Sequence, residues 1–259
     1  MPCLMNRRQF LGTSAASLAM PMMSHGAEGG PCHEMRIYYA HEGKLDALNA
    51  RFRDHTLGLF RKHGMTNGGY FLPKENADRR LVYFLSYPDR KARDASWKAF
   101  LADPDWRAAA AASEKDGPLV ARVDALFLKP TDYSPELKLE RRDPPRVFEW
   151  RTYTTPPKLL ANLNERFRRH TCGLFAKHGM TNVIYWNPEA GQPAADVTLT
   201  YLLAHDSEEA AAASFKAFRA DPEWTAAREA SEKAAGGSLT VPDGVKSVMM
   251  VPTDYSPLA

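Results

Sequence analysis

"HTLGLFRKHGMTNGGY" runs from His55 to Tyr70, and "HTCGLFAKHGMTNVIY" runs from His170 to Tyr185. Extended outward, residues 51–71 match residues 166–186 without a gap at about fifteen of twenty-one positions, the mark of a tandem duplication. Further matches come in the same order: "SWKAFLADPDW" (Ser96–Trp106) against "SFKAFRADPEW" (Ser214–Trp224), "SEK" at Ser113 and Ser231, and "PTDYSP" at Pro130 and Pro252. The chain reads as two versions of one unit, residues 33–135 and 147–257, joined by the charged, proline-interrupted linker "ELKLERRDPPR" at 136–146.

Each unit opens with a strand, "HEMRIYY" in the first copy. A helix comes next, with Leu45, Leu48, Phe52, His55 and Leu59 at three-four spacing, repeated as Leu160, Leu163, Phe167, His170 and Leu174. "KHG" stops it, because Gly64 or Gly179 can take the left-handed conformation and cations suit the helix C-terminus. Two strands succeed it ("MTNGGYF", "RRLVYFLSY"), then a helical region restarted at Asp103-Pro104 or Asp221-Pro222, and a last strand ("VDALFLK", "VKSVMMV"). Strand, helix, strand, strand, helix, strand is the ferredoxin-like βαββαβ order, α+β in class.

Such a unit covers one sheet face with helices and leaves the other to be solvated or buried. In "RRLVYFLSY" both alternate sets are apolar, Leu81, Tyr83 and Leu85 against Val82 and Phe84, which a solvated face would not show. Two tandem ferredoxin-like units whose antiparallel sheets pair into one pseudo-twofold barrel, with the helices outside, satisfy that pattern.

Within its 259 residues the chain is 44% hydrophobic and 25% charged, an ordinary globular composition. "NRRQFLG" (Asn6–Gly12) and the weakly apolar run behind it, within residues 1–27, read as a twin-arginine export signal, placing the protein in the periplasm or otherwise outside the cytoplasm. The formal charge of +3 falls near neutrality once Arg7 and Arg8 are removed, and no basic block remains, so nucleic acid is not an expected partner. The three cysteines do not correspond between copies and imply no disulfide framework. No integral membrane segment is expected beyond the signal.

"EMRIYYAHEGKLDALNARFRDHTLGLFRKHGMTNGGYF" and "EWRTYTTPPKLLANLNERFRRHTCGLFAKHGMTNVIYW", with F-x-A-D-P-x-W in both copies, resemble NIPSNAP domains. That resemblance implies membership of the dimeric α+β barrel superfamily. It brings no settled catalytic residues, and related barrels include cofactor-free monooxygenases, isomerases and haem enzymes.

In the first strands Glu34, Arg36 and Tyr38 alternate with Met35, Ile37 and Tyr39, and Glu149, Arg151 and Tyr153 repeat the arrangement. Set opposite the helix layer, these six groups would point into the barrel. There two guanidiniums would hold a carboxylate or enolate, or each glutamate would simply latch an arginine. His55 and His170 lie on the stripe that packs outside the sheet and are expected to be packed histidines; His63 and His178 stand at helix ends. His55 and His63, roughly 12 Å apart along a helix, cannot share a metal ion, and no metal or cofactor motif is present. Trp97, Trp106 and their counterparts read as core anchors, and "TNGG" (Thr66–Gly69) as a bulge or close backbone approach that makes the two half-barrels unequal.

The expectation is an exported protein whose barrel interior accepts a small organic molecule with an anionic or carbonyl group. Cofactor-independent oxygenation or proton transfer is the chemistry to test. The rival is an inert barrel docking an envelope protein partner.

Overall fold

The computed structural model describes residues 30–259, and the export signal read at residues 1–27 lies outside them. Eight antiparallel strands alternate with helices: β1 (Cys32–Ala40), β2 (Thr66–Pro73), β3 (Arg80–Tyr87) and β4 (Val120–Pro130), then β5 (Val147–Thr154), β6 (Thr181–Pro188), β7 (Thr198–His205) and β8 (Val245–Pro252). They close into one barrel in the order β1-β3-β2-β8-β5-β7-β6-β4. The halves join where the last strand of each reaches the other, β8 on β2 through Phe71↔Pro252 and β4 on β6 through Leu128↔Pro188.

The "PTDYSP" motifs lock these seams reciprocally. From the second copy, Asp254 accepts two hydrogen bonds from Arg53 (2.6 and 2.7 Å), Tyr255 donates to Asn49 (2.6 Å), and the Ser256 hydroxyl accepts from the Tyr70 amide (3.0 Å). The first copy returns each contact: Asp132 to Arg168, Tyr133 to Asn164 (2.7 Å), Ser134 to the Tyr185 amide (3.0 Å). A motif that ends each repeat in sequence thus belongs structurally to the other half.

Helices α1 (Leu45–Arg51) and α2 (Leu57–Lys62) are joined by a π-helical turn, Phe52–Thr56, and α5 (Leu160–Arg166) and α6 (Cys172–Lys177) by its counterpart, Phe167–Thr171. The Thr56 hydroxyl donates to the Arg51 carbonyl five residues back (3.1 Å), and Thr171 repeats this on Arg166 (3.3 Å). A π turn inserts one residue into the 3.6-residue pitch, which rotates the succeeding helical segment about its axis. Thr56 is therefore buried, and His55 and His170 are exposed. This corrects the expectation of packed histidines: an unbroken helix would have turned them inward.

Gly64 and Gly179 end these helices with φ of +75° and +79°. Helices α3 (Arg90–Ala102) and α4 (Pro104–Ser113), like α7 (Glu208–Ala220) and α8 (Pro222–Ala235), are separated at the aspartates. Asp103 and Asp221 cap α4 and α8 by accepting from the amides of Asp105 and Glu223 (2.8 Å each).

The barrel interior is apolar and packed, with Met35, Val82, Phe84, Phe148, Trp186 and Leu202 among its buried side chains. Phe71 meets Phe148 across the barrel with ring centroids 4.9 Å apart, and Phe84 meets Trp186 at 5.4 Å. The same bulge interrupts β2 at Asn67/Gly69 and β6 at Asn182/Ile184, so the glycines do not cause it. They make room instead, since a Cβ on Gly68 would overlap the Phe84 ring. The second half puts Val183 and Ile184 at the glycine positions and the smaller Leu202 at the Phe84 position, so each half fills its share of the interior with a different division of volume.

Candidate functional site

Glu34, Arg36 and Tyr38 stand opposite Leu85, Tyr83 and Leu81 in the β1–β3 ladder, on the face that packs against Phe52 and Phe60 of the helices. Glu149, Arg151 and Tyr153 stand opposite Leu203, Tyr201 and Leu199 on the equivalent face of the second half. The six groups expected inside the barrel therefore lie outside it, in two separate places under the helices. The reason is solvation. The enclosed interior gives a charge no route to water, so it takes the alternate set, which carries no carboxylate or guanidinium in β1 or β5, whereas the helix layer leaves a margin where Arg36 keeps 14% and Arg151 13% side-chain exposure.

Glu34 is the hub of the first half and is fully buried. It accepts from Arg36 (2.5 Å), from both Nε and Nη2 of Arg93 on α3 (2.9 and 2.7 Å), from the Tyr87 hydroxyl (3.2 Å) and from the Trp97 indole (3.0 Å). Burial alone would raise its pKa; the ion pairs and hydrogen bonds with Arg93 and Arg36 outweigh it and hold the carboxyl below its ordinary 4.5. Desolvation likewise opposes the charge on Arg36, but Tyr83, Tyr38 and Glu34 around it leave its pKa above the usual value. The guanidinium lies over the Trp97 ring at 4.4 Å, a stacking worth about 0.5–2 kcal/mol.

Beside this hub, between the sheet and the helices, is a cleft of about 370 Å³. Arg36, Arg51 and Arg93 supply its charge; Phe52, Phe60, Phe100, Trp97 and Trp106 supply most of its apolar wall, and Leu101, 54% exposed, lies at its rim. Arg51 is carried inward at the end of α1, immediately before the π turn. It is 6% exposed, donates to Glu114 (2.8 Å), and stacks on Trp106 at 5.3 Å. Three guanidiniums line the cleft and no carboxylate does; the one buried carboxylate beside it is Glu34, because Glu114 and Asp94 are 38% and 64% exposed. The Nε–H groups of Arg36 and Arg51 are buried with no hydrogen-bond partner among the described residues.

Residue-by-residue reading of the sequence puts Trp97 and Trp106 in the core and passes over Arg51 and Arg93. The one signal available is the doubled "RF", Arg51-Phe52 and Arg166-Phe167, an arginine kept beside a core phenylalanine in both copies.

The second half lacks Arg93, having Ala211 in its place, and has Phe215 for Trp97 and His205 for Tyr87. Glu149 there accepts from Arg151 and Ser247 and pairs with His205 (3.2 Å). His63 and His178 lie away from the cleft, each tying the end of its helix to an aspartate cap, Asp103 at 2.6 Å and Asp221 at 2.7 Å. With Lys62 and His63 donating to it, Asp103 has a pKa well below the carboxylate range. Among the described residues no three His, Cys, Asp or Glu side chains are grouped to hold a metal ion.

Comparison with known proteins agrees with this architecture. The chain is similar to an NIPSNAP-like domain protein from Burkholderia xenovorans, 23% identical, over 42% of this chain and 93% of that one, with a TM-score of 0.39. It is also similar to a Lactobacillus acidophilus structure named for monooxygenase activity (9% identity, 86% of this chain, 94% of that one, TM-score 0.56). An anthrone oxidase-like protein is 10% identical over 88% of this chain and 93% of that one, with a TM-score of 0.55. At 9–10% identity these last two share the eight-stranded α+β barrel and nothing further is read from them. No curated protein matches the chain. The NIPSNAP family model matches residues 33–135 and 148–257, one copy on each half of the barrel, and on that match this chain belongs to the NIPSNAP family.

Proposed function

We propose that this protein binds a small aromatic or otherwise apolar organic anion in the cleft of the first half. The observation that carries the reading is the pair of buried, unpartnered Nε–H donors of Arg36 and Arg51 lining one cavity with Trp97 and Trp106. An unsatisfied donor on a buried cation is costly, and an oxyanion placed between the two satisfies both. The indoles offer flat apolar faces for the rest of the ligand, and about 370 Å³ falls within the usual range of small-molecule sites, about 300–1,000 Å³.

The cleft is better equipped to hold a molecule than to move a proton. Its arginines stay charged, and Glu34 is ionised and fully engaged. Oxygenation or isomerisation in this cleft would have to draw its reactivity from the bound molecule, with Tyr38 and Thr56 as the hydroxyls lining the cleft. Together with "NRRQFLG" the proposal is of an exported binding protein, and cell fractionation with Arg7→Lys/Arg8→Lys tests the export.

Calorimetric titration with phenylacetate, and with uncharged phenylacetamide as control, tests the binding. The carboxylate should bind, the amide should not, and Arg51→Gln should weaken the carboxylate at least about tenfold. Equal affinity for acid and amide, or no effect of Arg51→Gln, contradicts the reading.

A further inference from the structure

The connector 136–146 is a wall rather than a tether. Leu137 packs on the barrel core, the Glu140 carbonyl accepts from the Ala259 amide (3.2 Å), the Arg142 amide donates to the Ala259 carbonyl (2.9 Å), and Arg141 donates to the Ser256 carbonyl. Between this wall and the start of β6 lies a cavity of about 330 Å³, with Val183, Leu258 and Pro135 as its apolar lining. Arg146 lines the same cavity from the connector's last position.

Arg146 is 5% exposed, and its buried Nε has no hydrogen-bond partner among the described residues. Burial and the like charge of Arg142 both press its pKa down, while Glu140 and Asp206 act on it only from beyond ion-pair distance. Its guanidinium rests over the Phe148 ring at 5.5 Å. In the repeat its counterpart is Pro31, so the first half has no equivalent of this arginine. Charges of both signs stand around the cavity, Lys138 and Arg142 against Glu136 and Glu140, all exposed, and Glu140 reaches Arg142 at 3.6 Å. None of these carboxylates forms an ion pair with Arg146, whose Nε–H stays without an acceptor among the described residues. A buried cation that is neither paired nor hydrogen-bonded at Nε is an expensive arrangement for a purely structural residue, and it becomes a favourable one when an oxyanion fills the cavity.

We propose that this cavity is a second small-molecule site, distinct from the first-half cleft, in which Arg146 receives an oxyanion group. That group is a carboxylate or a phosphate, with Arg142 at the rim completing the contact and Val183 and Leu258 facing any short apolar tail.

Side-chain 15N NMR of the full chain tests it directly, with the Arg146 Nε–Hε signal followed during titration with hexanoate and, separately, inorganic phosphate. The proposal expects a saturable shift with at least one probe at a Kd of about 1 mM or tighter. Response to hexanoate alone identifies a carboxylate with a tail, and response to phosphate identifies a phosphate-bearing ligand. Arg142→Gln should weaken binding about tenfold. Arg146→Gln should abolish it with the Arg36 signal retained; should that variant fail to fold, the wild-type and Arg142→Gln titrations decide. The shift must survive Arg51→Gln, which disables the other cleft. No saturation with either probe, or a shift lost in Arg51→Gln and unchanged in Arg142→Gln, overturns the proposal.

Discussion

Both halves bury a glutamate and an arginine two residues apart under their helices, yet they compensate the glutamate differently. Glu34 is held by two arginines, a tryptophan and a tyrosine, whereas Glu149 is held by one arginine, a serine and a histidine. In the first half the arrangement leaves an excess of buried positive charge beside an aromatic cleft. In the second, Ala211 replaces Arg93 and reduces that excess, and the Arg151 Nε donates to Tyr201 (3.0 Å), while Arg166 keeps Nε and Nη1 buried without a partner among the described residues. The two halves share a scaffold, and they differ at the site by a few residues: Arg93 against Ala211, Trp97 against Phe215 and Tyr87 against His205. The barrel interior shows the same division: two glycines with a phenylalanine on one side, Val183 and Ile184 with a leucine on the other.

Removing the hub should show the largest difference between the halves. Glu34→Gln removes the fully buried carboxylate shared by the half-buried Arg36 and Arg93 and should cost about 3 kcal/mol in urea unfolding. Glu149→Gln should cost less, because it strips one guanidinium, Arg151, of its counter-charge rather than two. Equal losses would mean that the two clusters are energetically alike despite their partners.

Gly68→Val, which gives the first half the second half's residue, forces a side chain into the Phe84 ring and should cost about 3 kcal/mol. Adding Phe84→Leu, again copied from the second half, should recover most of that loss. The double variant would have to be as unstable as the single one for the exchange of volume to be wrong.

His33 sharpens the comparison through pH. Its counterpart is Phe148, and its Nδ1 accepts from the Trp186 indole of the other half (3.2 Å). Burial lowers its pKa from 6.5 to about 4. The unfolded chain therefore takes up this proton first, and stability falls as pH drops from 6.5 towards about 4, by about 3 kcal/mol in all. His33→Phe should flatten that interval. The separate loss below pH 4.5 should remain, because Glu34 and Glu149 are depressed in the folded state and their stabilisation disappears as they protonate.

The smallest effect belongs to the seams. Arg53→Ala and Arg168→Ala each remove an exposed pair with an aspartate of the opposite motif and should leave the urea midpoint almost unchanged.

Much of the fold was legible because repetition and alternation are properties of the chain itself. The doubled passage located both units, and the two-sided apolar pattern of "RRLVYFLSY" required a second sheet to cover the first. The face of Glu34 and Arg36 was not legible. Alternation separates two faces without saying which one is enclosed, and a barrel buries both. His55 was misplaced for a different reason, since the π turn is set by the tertiary fit of Phe52 and Thr56 and leaves no periodic trace. Arg51 and Arg93 reach one cleft only when α1 packs on α4 and α3 on α2, and "PTDYSP" meets its partners only across the closed barrel.

A crystal structure of the protein with phenylacetate tests the central claim most directly. The account predicts the carboxylate between the Nε atoms of Arg36 and Arg51, with its ring against Trp97 or Trp106, and no ligand inside the barrel. Density in the barrel interior, or bound equally at Arg151 and Arg166, would contradict it.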